Sequence, residues 1–378
     1  MAEYSQNTPR VPFRILIKRE TGFLIFVALM IAFPFVINWV TGTGLNEGVT
    51  KYWQGQLIAF FILAVLAISY DLLIGYSGIL SFGHAAFFGA GAYTTALLFT
   101  HWAPGFMETY RITFPGLGDI TSGLVFIIVL LAAALASLLI GLLFSATSVR
   151  LKGAYFAMLT LALAEALHIL SKATDFTQWT GADEGLHGVP VPMWINPTQF
   201  RTRFYFVALA FLVIAYLLVR RFTNSPVGRV IVASRENEDR MRMIGYNPAV
   251  YRTITFLMSA LIAGMAGAMY SMWNMSATPS MTSAVLTVNV LIMVILGGMG
   301  TLIGAIIGAG MMQAFSQFLF AWFGARWPLV FGLIFIFIVL FFPYGIVGTW
   351  RLKRVDVKQG WHKLKGLLFS QKQTEKPQ

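Results

Sequence analysis

Long apolar runs separated by short polar segments make up most of this chain. A mostly apolar run of about 20 residues is long enough to cross the hydrocarbon core of a bilayer as a helix. Seven runs fit that pattern: Gly22–Val40, Gln56–Ile74, Thr121–Ala146, Ala154–Leu170, Phe204–Val219, Thr253–Met275 and Pro328–Val347. The pattern therefore predicts an all-α bundle that crosses a membrane repeatedly.

Two further apolar stretches are interrupted by glycine. Ile79–Phe99 contains His84 and three glycines, and we interpret it as one broken span. Ala284–Phe323 is too long for a single span and contains the sequence Gly297-Gly298-Met299-Gly300, which predicts two helices joined by a tight turn. The predicted total is ten spans.

Composition agrees with a membrane protein and excludes several kinds of function. Of 378 residues, 57% are hydrophobic and only 11% are charged, whereas soluble domains keep roughly a quarter of their residues charged. There is no cysteine, so disulfides and thiolate sites are excluded. We find no phosphate-binding loop ending in Lys-Ser/Thr, no His-Glu-x-x-His metal motif and no nucleophile elbow. The chain is predicted to be neither an enzyme nor a metal or cofactor binder.

The basic residues indicate an orientation. We assume ten spans with both termini in the cytoplasm. The cytoplasmic segments then hold 21 of the 27 Lys and Arg: four before the first span, two at Arg150 and Lys152, seven in 220–252 and eight after Thr349. The orientation in the membrane thus accounts for the net charge of +12, and binding to nucleic acid is not needed to explain it. We divide the chain into a cytoplasmic N-terminal segment (1–21), a transmembrane domain (22–349) and a basic cytoplasmic tail (350–378).

The longest cytoplasmic loop, residues 220–252, has a helical composition of its own. Ser225-Pro226 is a plausible helix start, Gly245 a plausible C-terminal cap, and Val230–Ile244 is predicted to be helical. Arg235, Glu238 and Arg242 recur at spacings of three and four, which predicts one shared face. Such a helix either docks into a groove on a soluble partner or lies on the lipid headgroups.

Ionisable residues at membrane depth are candidates for function because burying charge in hydrocarbon is costly. Glu165 and His168 lie three residues apart and either pair structurally or line a path. Asp71 lies near a cytoplasmic helix end, where packing or capping is expected. The further polar candidates for a translocation path are His84, Tyr93, Thr160 and Asn289.

Four blocks of this sequence, in the same order, resemble the permease subunits of hydrophobic (branched-chain) amino-acid ABC importers. The resemblance covers roughly Gln56–Val347 and is closer to the longer-loop member of the permease pair. The N-terminal extension, the segment around Pro104–Pro115 and the tail depart from the family. The blocks are Asp71–Tyr93; Arg150–Leu161 with Thr180–Leu186; Gly228-Arg229, Arg235–Glu238, Ile244-Gly245 and Tyr251-Arg252; and Ser259–Tyr270 with Leu296–Thr301.

The resemblance implies a division of labour in a bacterial or archaeal cytoplasmic membrane. This chain pairs with a second permease, an extracytoplasmic binding protein delivers a small solute, and two cytoplasmic subunits bind ATP and Mg²⁺. The loop is then the contact with the ATPases, with Met241 among its apolar contacts. The residues assigned to that contact are Arg235, Glu236, Asn237, Glu238, Arg242, Met243, Ile244 and Gly245.

The solute and two rival functions stay open at this point. Branched-chain amino acids are expected, and close relatives of the same architecture handle urea and short amides. A proton- or sodium-coupled secondary transporter would need functional acids within the membrane and no ATPase partner. A purely structural membrane protein would explain the hydrophobicity but not the four blocks in register.

Overall fold

The computed structural model is helical over most of its length. It describes residues 13–42, 44–110, 113–114, 118–119, 121–148, 151, 153–342 and 345–349. The α-helices of these residues are α1 (Phe13–Thr41), α2 (Gly48–Asp71), α3 (His84–Leu97), α4 (Ala103–Thr109), α5 (Thr121–Ser148), α6 (Gly153–Lys172), α7 (Thr177–Thr180), α8 (Arg201–Asn224), α9 (Pro226–Glu236), α10 (Glu238–Met243), α11 (Pro248–Asn274), α12 (Ala284–Gly297), α13 (Leu302–Phe323) and α14 (Trp327–Phe341).

Shorter elements connect or extend these helices. Two π-helical turns, Leu72–Tyr76 and Leu98–Trp102, continue α2 and α3. Four two-residue strands form two antiparallel pairs: β1 (Thr113–Phe114) with β2 (Gly118–Asp119), and β3 (Leu186–His187) with β4 (Ser276–Ala277). The 3₁₀ turns are Thr174–Phe176, Met193–Ile195, Pro279–Thr282 and Gly324–Arg326.

The predicted helical bundle is confirmed. Each of the ten predicted spans corresponds to a helix, and α1 begins nine residues before its predicted start. Within the described residues, seven helical segments are long and apolar enough to cross a membrane, and the last of them, Leu302–Thr349, contains both α13 and α14. At 14 residues each, α3 and α12 are shorter than a bilayer crossing requires. Residues 1–12, Arg150, Lys152 and the tail 350–378 lie outside the described residues.

The core forms around α2 and α11. Helix α2 packs against α8, α11 and α13, while α11 packs against α3 and α5. Helices α3 and α11 approach each other closely, since a Cβ at Gly91 would overlap the carbonyl of Gly264 and one at Gly267 would overlap the carbonyl of Phe88. Small residues at such a crossing allow two helix backbones to touch inside a membrane.

The predicted turn between α12 and α13 is confirmed. Gly298 and Gly300 adopt φ values of +113° and +74°, a region that side-chain-bearing residues rarely enter. The turn places the backbone amide of Gly300 against the end of α2. This contact becomes part of the candidate site.

The two long segments that join spans contain short elements of their own. Residues 171–203 form α7, β3 and two 3₁₀ turns, and β3 pairs with the strand that follows α11. The described part of Thr100–Ile120 forms α4 and the β1–β2 pair. Both segments are therefore small folded caps rather than extended linkers.

Candidate functional site

The loop 220–252 folds as two short helices, so the single helix predicted over Val230–Ile244 is wrong. Ser225 caps α9 by accepting a hydrogen bond from the Gly228 amide at 3.1 Å. Asn237 then leaves the helical conformation, with φ −159°, and its side chain accepts from the Arg240 amide at 2.9 Å to begin α10. Asparagine is among the preferred residues at this capping position. Gly245, at φ +88°, ends α10 as predicted.

The helix breaks at Asn237. The prediction that Arg235, Glu238 and Arg242 share one helix face is therefore wrong. Arg235 is exposed on α9, but its guanidinium donates to the carbonyl of Gly75 in the π-helical turn after α2. The passing Arg235 side chain leaves no room for a side chain at Gly78, where a Cβ would lie 2.8 Å from the Arg235 Cγ. Arg235 is thus tied to the transmembrane core.

A buried carboxylate lies beside this contact. Asp71 is fully buried, and its Oδ1 accepts from the Gly300 amide at 2.7 Å. Its Oδ2 has no hydrogen-bond partner among the described residues, while the Arg235 charge lies near enough to act on it. We call Asp71, Gly75, Arg235 and Gly300 the Asp71–Arg235 junction. It brings the end of α2, the α12–α13 turn and α9 together.

Glu238 is also committed within the chain. Its carboxylate forms an ion pair with Arg252 in the first turns of α11, and the two side chains are only 16% and 22% exposed. Met241 is buried. Glu238 and Met241 are thus largely covered within this chain, and a direct contact of either with a partner stays a prediction.

The outward surface of the loop is its second half. The side chains of Met243 and Ile244 are 85% and 68% exposed, and Tyr246 is also exposed. Glu236, Asn237 and Arg242 are exposed as well. We call residues 242–246 the loop tip. It presents two large, strongly exposed apolar side chains beside a cation, as a docking surface would.

His84 and Thr160 are buried in the core. The His84 ring lies 2.8 Å from the Ser69 hydroxyl through Nε2, and the Ser69 carbonyl accepts from Ser259 at 2.6 Å. Thr160 accepts from the Phe82 amide at 3.2 Å. Both side chains connect segments that pack together, and neither reaches the surface of this chain.

Tyr93 lines a cavity of about 210 Å³ between α3, α6 and α7. Its hydroxyl lies beside Ser171. The other walls are mainly apolar and include Leu167, Phe176 and Trp179.

Glu165 and His168 are not paired with each other. The His168 Nδ1 lies 2.9 Å from the Thr282 hydroxyl, whereas Glu165 is exposed and has no ion-pair partner among the described residues. Asn289 is half-buried on α12, which contacts α6. In the described part of the chain, no three His, Asp or Glu side chains gather as they do around a metal ion.

Sequence reasoning missed the Asp71–Arg235 junction. The one available signal was a carboxylate at the end of an apolar run, and nothing near it in sequence identified its partners. Arg235 follows Gly75 by 160 residues, and Gly300 follows Asp71 by 229.

The chain is similar to permeases of branched-chain amino acid transport. Residues 54–342 match the family described as the branched-chain amino acid transport system permease component. The high-affinity branched-chain amino acid transport system permease protein LivM of Escherichia coli is 26% identical over 368 residues, covering 91% of this chain and 78% of LivM.

More distant relatives fit the same picture. The probable LivM of Methanocaldococcus jannaschii is 26% identical over 67% of this chain and 76% of its own length. The autoinducer 2 import system permease LsrC of Photorhabdus laumondii is 26% identical over 40% of this chain and 44% of its own length. No solved structure shows significant similarity to the chain.

Proposed function

This chain belongs to the family of permease components of branched-chain amino acid transport systems, and we propose that it forms one half of the path of an ATP-driven importer. The other half is a second permease. Two cytoplasmic subunits bind and hydrolyse ATP with Mg²⁺, and an extracytoplasmic binding protein delivers the solute. Both termini and the loop tip lie on the cytoplasmic side, in keeping with the distribution of Lys and Arg.

The observation that carries this proposal is the loop tip. Large apolar side chains exposed at the end of a polar loop are typical of a surface that a partner covers. The ATPase subunits fit this partner, because the chain has no phosphate-binding loop and must obtain its energy from another subunit. Purifying the tagged chain in mild detergent tests the assembly directly. A second permease and two ATPases should co-purify, and a chain that is isolated alone would contradict the proposal.

We expect Ile244→Glu to remove the ATPases from the purified complex. Ile244 is 68% exposed in the free chain and would be buried by a bound ATPase. A carboxylate at this position would be buried without a partner, which is strongly unfavourable. Co-purified ATPase should fall at least about tenfold, as expected for the loss of an interface hot spot. The second permease should remain.

The matched control is Met193→Glu, which changes a side chain that is 65% exposed at the opposite end of α8. It should leave the ATPases bound. Equal ATPase recovery from the Ile244→Glu and Met193→Glu proteins would exclude the loop tip as the docking surface.

We propose that motion of the ATPases reaches the membrane through the Asp71–Arg235 junction. A movement of α9 acts on Gly75 through the Arg235 guanidinium, and Asp71 holds the same turn to Gly300 at the start of α13. One rigid contact thus joins the loop to three transmembrane segments. This gives the bundle a means of changing between two packings when the loop moves.

Branched-chain amino acids are the proposed solutes. Uptake of labelled leucine into proteoliposomes that contain the complete transporter should be reduced by valine and isoleucine but not by urea. If urea or a short amide abolishes leucine uptake, the chain belongs instead with the relatives of the same architecture that transport urea and short amides.

The alternative function is an ion-coupled secondary transporter, which the exposed Glu165 would favour. That protein would take up solute without ATP and in proportion to a proton or sodium gradient. Uptake that requires ATP on the side of the membrane that carries the loop tip, and that depends on neither a proton nor a sodium gradient, would exclude a secondary transporter.

A further inference from the structure

A groove of about 370 Å³ runs between α2 and α13, and side chains of both helices line it. Two of these side chains, Tyr52 and Phe318, are 52% and 62% exposed, so the groove opens at the surface of the chain. Three others are glutamines, Gln56, Gln313 and Gln317. We call this feature the glutamine groove.

Two hydrogen bonds across the groove bring its polar groups together. The Gln313 Nε2 donates to Oε1 of Gln56 at 2.9 Å, and the Tyr52 hydroxyl donates to Oε1 of Gln317 at 3.4 Å. Each carboxamide has two N–H donors and one oxygen acceptor. Within the part of the chain that the structure describes, the three glutamine side chains make no other hydrogen bond. The groove therefore keeps five N–H groups and the Gln313 oxygen free for an occupant.

The amides lie too deep in the membrane for lipid headgroups. Gln56 follows the start of α2 at Gly48 by eight residues, and Gln313 precedes the end of α13 at Phe323 by ten. At 1.5 Å per residue these separations are about 12 and 15 Å, and the hydrocarbon core is about 30 Å thick. Both helix ends face the outer side in the proposed orientation. Unpaired amide groups in contact with hydrocarbon are unfavourable, so the groove is expected to hold a polar occupant.

The lining of the groove matches a small neutral zwitterion. Among the described residues that line it, none is charged, so a solute with a net charge would be enclosed without a counter-charge. The free N–H groups can bind a carboxylate, which only accepts hydrogen bonds, and the Gln313 oxygen can accept from an ammonium group. The other walls include Leu57 and Phe60 and offer apolar surface to an aliphatic side chain.

We propose that the glutamine groove is a binding site for an amino-acid solute inside the membrane. The amides hold the main-chain carboxylate and ammonium groups, and the apolar walls receive the side chain. The inference rests on the proposed importer function and names the surface of this chain along which the solute passes, with the second permease closing the open side. An apolar cavity of about 150 Å³ already binds benzene, so a groove of about 370 Å³ has room for a leucine.

The double variant Gln56→Leu with Gln313→Leu tests the amides. Replacing both partners of a hydrogen bond by apolar groups of similar shape is close to neutral for stability, so the unfolding temperature should stay the same or rise. The complete transporter in proteoliposomes, with saturating leucine-loaded binding protein outside, should nevertheless take up leucine at least about tenfold more slowly, because hydrogen bonds to charged groups of the solute are lost. The second permease should co-purify in the wild-type amount.

Ala314→Leu tests the size of the groove. Ala314 lines the groove on α13, and a leucine there removes space without adding charge. One methylene group in an apolar pocket is worth about tenfold or more in specificity, so leucine uptake should fall about tenfold relative to valine uptake, each with saturated binding protein. The matched control is Ala210→Leu at an exposed position in the middle of α8, which should keep the wild-type ratio.

The outcomes separate this inference from the proposed function. A wild-type complex that fails to import leucine with ATP would overturn the importer and the solute site together. Normal ATP-driven leucine uptake by the double variant would overturn only the solute site. Loss of the second permease from the double variant would also overturn it, because the groove would then be a contact between the two permeases. If the double variant does not fold, an unchanged ratio of leucine to valine uptake in Ala314→Leu overturns the site.

Discussion

Replacing Arg235 with alanine should uncouple transport from ATP hydrolysis. The variant loses the guanidinium that donates to Gly75 and the charge beside the buried Asp71 carboxylate. The loop tip is unchanged, so the ATPases should still bind. Because coupling between sites is typically about 1–3 kcal/mol, we expect leucine uptake per ATP hydrolysed to fall about tenfold. The measurement is paired uptake and ATPase rates in the same proteoliposomes.

Arg229→Ala is the matched control, since Arg229 is an exposed arginine on the same helix α9. It should retain the wild-type ratio of uptake to ATP hydrolysis. An equal ratio in the Arg235→Ala and Arg229→Ala proteins would remove the Asp71–Arg235 junction from the coupling route.

Loss of Arg235 also removes a positive charge that acts on the buried Asp71 carboxyl, and we expect this to destabilise the fold. The double variant Arg235→Ala with Asp71→Asn addresses this. The amide oxygen can still accept from Gly300, and no charge is buried, so the unfolding temperature should return toward the wild type. Coupling should not return, because the link from α9 to Gly75 is still missing. Recovery of both quantities would mean that Arg235 serves stability alone.

The helical bundle was predictable because lipid imposes simple constraints. A chain inside a bilayer must satisfy its backbone hydrogen bonds internally, so apolar runs become helices. The run 284–323 illustrates how much local chemistry adds. Gly298 and Gly300 signalled the α12–α13 turn, and both adopt the positive φ values that glycine tolerates.

The arrangement of the loop could not be predicted from periodicity. The spacing of Arg235, Glu238 and Arg242 fits one helix face only if the helix continues through Asn237, and the Asn237 side chain instead begins a new helix. Once the helix breaks, two of these three residues contact segments outside α9 and α10. Arg235 meets Gly75, and Glu238 meets Arg252 in the next span.

The path residues show the same limit. Their depth could be predicted from their positions within apolar runs, but which side of a helix is covered depends on tertiary packing. His84 is enclosed by α2 and α11 through Ser69 and Ser259. Glu165, which also lies within an apolar run, is left open because little of α6 is buried in the bundle.

Gly91→Ala should destabilise the isolated chain. The added methyl group would overlap the carbonyl oxygen of Gly264, a backbone atom that cannot rotate away. Helices α3 and α11 would have to separate along their most extensive contact. Overpacking of a tight core typically costs about 1–3 kcal/mol, and here it outweighs the gain of about 1 kcal/mol from replacing glycine with alanine in a helix. A lower unfolding temperature and a lower yield of monodisperse protein in detergent are the expected readouts.

Gly332→Ala provides the comparison, because Gly332 also lies in the middle of a helix, α14, and a Cβ there would meet nothing within 4 Å. Only the gain in helix propensity applies to that change, so its unfolding temperature should equal or exceed the wild-type value. The difference in unfolding temperature between the two variants therefore reports on the α3–α11 contact rather than on the general effect of replacing a glycine. If Gly91→Ala unfolds at the same temperature as Gly332→Ala, the two backbones do not touch as the structure places them. The core around which the Asp71–Arg235 junction is built would then have a different packing.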